Sequence, residues 1–219
     1  MTFSVSGYCK KTGMVGVAIT TSSICVASRC PWVRAGVGAA ATQNITDPSL
    51  GNLMLDYLEE GLSVQQTINK VVKEHKFINY RQLALVDSKG NCASHTGSKT
   101  LGTNAVSEGD SCIAAGNLLS SREVVQAMTD NFSRNNNIHL AERLLLALQA
   151  GVDAGGEEGG RTQLPHLADS SGHRRRSRGA DRMGPFRDRV PGAGHPQAHG
   201  STHRHPYPDI LRRHHVANS

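Results

Sequence analysis

The chain has 219 residues, 37% of them apolar, 4% aromatic and 19% charged, with a formal net charge of +6, enough for one ordinary domain and a tail. The charge is unevenly spread: from Arg161 onward there are eleven Arg, no Lys and four acids, whereas the residues before it carry thirteen basic and fourteen acidic side chains. A near-neutral body gives no support to a nucleic-acid-binding surface there, and no apolar run reaches the roughly 18 residues of a membrane span.

In chain order, Thr2–Tyr8 and Met14–Thr20 are two short β-rich runs. Lys10, Lys11, Thr12 and Gly13 between them supply turn chemistry, so the stretch predicts a hairpin. Thr2 directly follows Met1, and a small second residue normally allows that methionine to be removed. The chain then starts with a residue carrying both an α-amine and a hydroxyl. An amine of pKa about 7.7–8.0 can act as general base for that hydroxyl, directly or through a water, which is the threonine-terminus variant of the catalytic dyad. The alternative is that Thr2 merely opens an edge strand.

Ser23–Ser28 continues in strand-like composition, and Arg29–Ala35 is expected to be irregular around Pro31. Gly36–Gln43 is a small-residue strand that either lies under a helix or lines a site. Asp47 and Pro48 start a helix, with Leu50, Leu53, Met54, Tyr57 and Leu58 at helical spacing and Gly61 as its stop. Ser63 caps a second helix whose Val64, Ile68, Val71 and Val72 share a face. Arg81–Asp87 and Asn91–Thr96 form a second hairpin, and Asp110–Ala115 is a strand stopped by Gly116 and Asn117. Ser120 or Ser121 caps a helix through Val124, Val125, Met128 and Phe132. Asn137 caps the last helix, striped by Leu140, Leu144, Leu145 and Leu148 and stopped by Gly151. Strands, two helices, strands, two helices is the segregated order of an α+β fold, and two sheets between helical layers is one such arrangement.

From Gly159 the composition turns to Arg, His, Pro and Gly, with six of the eight prolines and eight of the eleven histidines. The text lacks any period of 2 or 3.6 and is expected to be disordered; it also resembles an out-of-frame reading of GC-rich DNA. Its histidines, His195 to His215, have no ligand spacing for a dedicated metal site. Its arginines offer at most non-specific nucleic-acid contact. The expected organisation is a domain over 1–158 and a tail over 159–219. Five cysteines without CxxC spacing read as free thiols of a reducing cytosol. With no signal-like start, the expectation is a soluble cytoplasmic protein without metal or organic cofactor.

The segments TFSVSGYCKKTGMVGVAIT, PWVRAGVGAAATQ, RQLALVDSKGNCASHTG, AAGNLL and LAERLLLALQAGVDAGGEE, in that order and spacing, resemble the DUF1028 family over about Thr2 to Glu158. The resemblance implies the N-terminal nucleophile (Ntn) hydrolase superfamily, its four-layer αββα sandwich, and Thr2 as nucleophile once Met1 is removed. It implies a catalytic set of Thr2, Arg34 and Asn117. Arg34 would lower the amine pKa and stabilise developing negative charge, unless it is a surface residue of a loop. Gln43, His95 and Gly116 are the substrate-binding candidates. The Gln43 and Asn117 amides, or the N–H groups of Gly116 and Asn117, would line an oxyanion hole, although Asn and Gln are also ordinary turn residues. His95 has the alternative of a satisfied hairpin histidine.

The implied reaction is hydrolysis of an amide or related acyl C–N bond in a small-molecule substrate, with no membrane or specific nucleic-acid partner and a homodimer as a compatible assembly. The competing reading is a non-catalytic member of the same fold: a small-molecule-binding or assembly protein, or a truncated relic. It draws on GGRTQLPHLADSSGHRRR, which stands where family members continue with an apolar strand and would leave one sheet incomplete, with an unpaired edge. Glu157 and Glu158 sit at that break and receive no role.

Overall fold

A strand of period two sorts its side chains to two faces, and the first strand, β1 (Thr2–Tyr8), buries both. Phe3 and Val5 point one way, Ser4 and Ser6 the other, and all four are buried. A computed structural model describes residues 2–159 and the backbone of two further strands, β9 (His166–Asp169) and β10 (Arg174–Arg176). Between them lie β2 (Val15–Thr21), β3 (Pro31–Arg34), β4 (Gly38–Asn44), α1 (Ser49–Glu59), α2 (Val64–Glu74), β5 (Arg81–Asp87), β6 (Cys92–Thr96), β7 (Ala105–Gly109), β8 (Cys112–Asn117), α3 (Glu123–Arg134) and α4 (Leu140–Asp153).

The strands form two antiparallel sheets, ordered β10-β9-β2-β1-β8-β7 and β3-β4-β5-β6. Phe3 and Val5 meet Met128 and Phe132 of α3 and Leu144 and Leu148 of α4 in one apolar cluster. Leu50 and Met54 of α1 and Ile68 and Val71 of α2 cover Leu83 and Leu85 of the second sheet. A third cluster joins the two sheets: Val15, Val17, Ile113 and Ala115 against Ala39, Ala41, Ala84 and Val86. The alanines of β4 give that layer its close spacing. Ser63 caps α2 through a capping box with Gln66, as its position predicts.

Several elements depart from the sequence reading. Ser23–Ser28 is no strand: Cys25 adopts φ +56° and a 3₁₀ turn follows at Val26–Ser28. Pro31 opens β3 instead of breaking it, because the first residue of an edge strand tolerates a missing N–H. The strand β7 has too little apolar alternation (AVSEG) to stand out. The last helix is capped by His139, whose Nδ1 accepts the Ala141 N–H at 3.2 Å, and it passes through Gly151. A Cβ there would crowd Met128 and Phe3, so that glycine serves close packing and not termination.

The β2 edge, which the sequence leaves open, is paired by β9 from Gly16↔Asp169 to Ile19↔His166. A ladder needs only backbone N–H and C=O groups, so a segment without apolar periodicity can still supply it. Apart from β9 and β10, the Arg- and His-rich tail lies outside the described residues. Among the described residues no helix is long and apolar enough to cross a membrane.

Gly51 of α1 lies under Trp32, and an added methyl would fall within the indole ring. In an exposed helix Gly→Ala gains up to about 1 kcal/mol, but overpacking a filled core costs about 1–3 kcal/mol or more. Gly51→Ala is therefore expected to destabilise the chain by about 1–2 kcal/mol net, read as a lower urea midpoint. A midpoint at or above wild type would contradict this packing.

Candidate functional site

The alternation that fills the inter-sheet layer with Val and Ala runs out, at one end, into polar residues. Continuing the same face gives Ser4 and Thr2 on β1, Thr21 on β2, Gln43 on β4, Gln82 on β5 and Asn117 on β8, all buried. Antiparallel pairing gathers them: Thr2 stands opposite Thr21 on one side and Asn117 on the other, and Gln43 opposite Gln82.

The Thr2 and Thr21 hydroxyl oxygens are 3.1 Å apart, and Thr21 Oγ1 accepts the Ser23 N–H at 3.1 Å. Ser4 Oγ donates to Gln43 Oε1 at 3.0 Å, crossing between the sheets. Gln82 Oε1 accepts from Gln43 Nε2 at 2.9 Å and Asn117 Nδ2 at 3.2 Å. Gln82 Nε2 donates to the Gly116 carbonyl at 2.9 Å. A fully buried amide is thus satisfied at both ends.

Beyond Asn117 the chain is strained. Leu118 sits at φ +52°, a conformation costing about 1–3 kcal/mol for a side-chain-bearing residue. It is held by its N–H to the Leu101 carbonyl (3.1 Å) and its carbonyl to the Glu158 N–H (2.9 Å). The neighbouring Glu157, bridged to Leu119, is 1% exposed. Its Oε1 accepts the Ser22 N–H at 3.1 Å, while its Oε2 is buried without a partner. Burial pushes the Glu157 carboxyl above the usual range, against the pull of the positive amino terminus and of Ser22.

Of the residues singled out from sequence, Thr2, Gln43, Gly116 and Asn117 come together and two do not. Arg34 pairs with Gly38 at the far end of β4, and its guanidinium forks onto Asp56 and Glu59 of α1 at 2.7 Å each. Two acids one helical turn apart hold it there. His95 lies on the opposite face of β6 from Thr96, with Nε2 3.2 Å from the Ile78 carbonyl; alternation turns Thr96, not His95, toward Gln82. The sequence reading missed Gln82 and Glu157. Carrying the β5 alternation back from Val86 and Ala84 would have found the first; no periodicity marks the second. Two clefts, of about 630 Å³ beside Val37 and Asp87 and about 310 Å³ beside Tyr8 and Ser111, lie at the other end of the strands. Among the described residues no three His, Cys, Asp or Glu side chains gather to hold a metal.

The model of a family of unknown function, DUF1028, matches residues 2–166. A crystal structure of a DUF1028 protein from Silicibacter pomeroyi is similar at 30% identity with a TM-score of 0.70, covering 77% of this chain and 75% of that one. The HslV of Trypanosoma brucei is similar at 10% identity with a TM-score of 0.47, covering 76% and 98%. The BPH protein of Thiobacillus denitrificans is similar at 15% with a TM-score of 0.42, covering 76% and 97%. No curated protein matches the chain.

The raised Glu157 carboxyl makes stability depend on pH. Between the unfolded and folded pKa values the folded state binds the extra proton, so its stabilisation is complete at low pH and lost as pH rises through the folded value. Melting temperatures of wild type and Glu157→Gln should therefore diverge in favour of the variant as pH climbs above about 4.3. Parallel curves would show the carboxyl to be unperturbed.

Proposed function

The chain belongs to the DUF1028 family, and from that membership and the polar cluster at its first strand we propose an N-terminal-nucleophile hydrolase, an αββα sandwich that cleaves an amide or related acyl C–N bond of a small molecule. The observation that carries this reading is the Thr2 hydroxyl, held 3.1 Å from Thr21 Oγ1 and flanked by Asn117. The five cysteines are free thiols, in keeping with a reducing cytoplasm.

With Met1 removed, the neutral α-amine of Thr2 takes the proton of Oγ1 as that oxygen attacks the acyl carbon. The carbonyl electrons move onto oxygen, giving a tetrahedral oxyanion. Asn117 Nδ2, with one N–H engaged by Gln82 Oε1, presents its other N–H as oxyanion donor. Collapse breaks the C–N bond, and the α-ammonium returns its proton to the departing nitrogen. An ester on Thr2 remains. The same amine then deprotonates a water, which attacks the ester, releases the acid and restores the hydroxyl. Gln82 positions Asn117. Glu157 positions Ser22 and so the strand end bearing Thr21. Arg34, committed to α1, has no part in the sequence of steps.

A second reading, a non-catalytic small-molecule-binding or assembly protein of the same fold, draws on Thr2 being only 7% exposed and on the clefts beside Val37 and Tyr8, which lie at the opposite end of the strands. A panel of small amides and cyclic imides separates the two. Thr2→Ala is expected to reduce turnover to background, and Thr2→Ser to retain part of it. Asn117→Ala should lower kcat about 10²–10³-fold. Intact mass of active protein should lack Met1. Turnover undiminished in Thr2→Ala, or active protein retaining Met1, would overturn the hydrolase reading.

A further inference from the structure

The strand ends opposite Thr2 carry a different chemistry. There the β1–β2 turn, the β7–β8 turn and the α3–α4 loop surround the cleft of about 310 Å³, at the small end of ligand-pocket sizes. Its wall includes Arg143, a cation only 5% exposed. The guanidinium lies 3.8 Å from the Phe132 ring centroid. Its Nε and Nη2 donate to the Phe132 carbonyl at 3.3 and 3.0 Å, in the last turn of α3, where the helix's negative end suits a positive charge.

Those contacts tie Nε and Nη2 to a neutral carbonyl. No ion pair includes Arg143 among the described residues. The other two cations of the cleft are unequal. Lys10 pairs with Asp110 at 2.8 Å, whereas Lys11 Nζ donates to a neutral partner, Asn137 Oδ1, at 2.8 Å. Three cations therefore face one carboxylate, and that carboxylate is already taken. The local field is felt by the acid itself: the Lys10 hydrogen bond first, and the charge of Arg143 as well, hold Asp110 below the usual carboxylate range. A guanidinium serving only to close the end of α3 would not require a second unpaired cation across an open cleft.

We propose that this cleft binds a small oxyanion, the phosphate or carboxylate group of a compact ligand, between Arg143 and Lys11 with the Asn137 side-chain amide as a further donor. Planar guanidinium and point-like ammonium together suit such a group through charge-assisted hydrogen bonds. The site is separate from the Thr2 cluster and does not depend on the reaction proposed there.

The test is titration of the intact chain with inorganic phosphate and, separately, with acetate, ionic strength being held constant with sodium chloride. Calorimetry and amide chemical shifts are followed together. Saturable shifts at Lys11, Ser111, Asn137 and Arg143 are expected; saturation by phosphate assigns a phosphate group, and by acetate alone a carboxylate. Lys11→Ala, an exposed change, should weaken binding about tenfold, the scale of one charged hydrogen bond. Arg143→Lys should weaken it further, while Lys73→Ala, outside the cleft, should bind as wild type. Should Arg143→Lys fail to fold, Lys11→Ala and Lys11→Glu decide the matter. No saturable response to either anion beyond chloride, or unchanged affinity in the folded cleft variants, overturns the proposal.

Discussion

The side-chain amide of Gln82 is the constraint on which the Thr2 end of the fold depends. Its carbonyl oxygen accepts from Gln43 on the neighbouring strand and from Asn117 in the opposite sheet, and its nitrogen donates to the Gly116 carbonyl. The apolar part of the inter-sheet layer has no such directionality: Val against Ala can slide by a fraction of an ångström at little cost. The amides cannot. Each buried donor or acceptor left unmade costs about 1–3 kcal/mol, so this short chain sets how the sheets meet at that end. Thr2 inherits its surroundings from that alignment, since β1 and β8 are neighbours in register.

The sequence made much of this legible, and its failures have physical causes. Periodicity identified β1, β2, β4, β5, β6, β8 and all four helices, because each buries a regular face. It passed over β3 and β7, which are short, half-exposed and patterned mainly by backbone pairing. At the site, Gln43 and Asn117 are candidates through the family resemblance; the sequence takes Asn117 for the stop of a strand, whereas it is the last residue of β8. Gln82 lies in a strand the sequence does mark, Arg81–Asp87, but a polar residue next to Arg81 at the strand's start does not by itself point into the layer between the sheets. Arg34 misled for the opposite reason. A basic residue near a small-residue strand suggests an electrostatic role, but Asp56 and Glu59, more than twenty positions away, claim it, and no local pattern announces a pairing at that separation. Glu157 enters through a glycine-rich loop whose path only the tertiary structure reveals.

The strands give their two ends opposite characters. One end gathers neutral hydroxyls and amides with a single buried carboxyl, and the other carries the Arg143 cleft and the paired Arg34. This separation bears on chemistry, because the single acid at the Thr2 end, Glu157, is the one on which the positive amino terminus pulls. The overall positive charge says nothing of it, since that excess belongs to residues after Arg161.

In its sheet, β1 is an inner strand, with β2 on one side and β8 on the other. Its second neighbour is more than a hundred residues away in the chain. Pairing with β2 needs only a short turn, but the other flank closes only when Cys112–Asn117 docks, so the surroundings of Thr2 are completed by one of the longest-range contacts of the fold and not by the local hairpin.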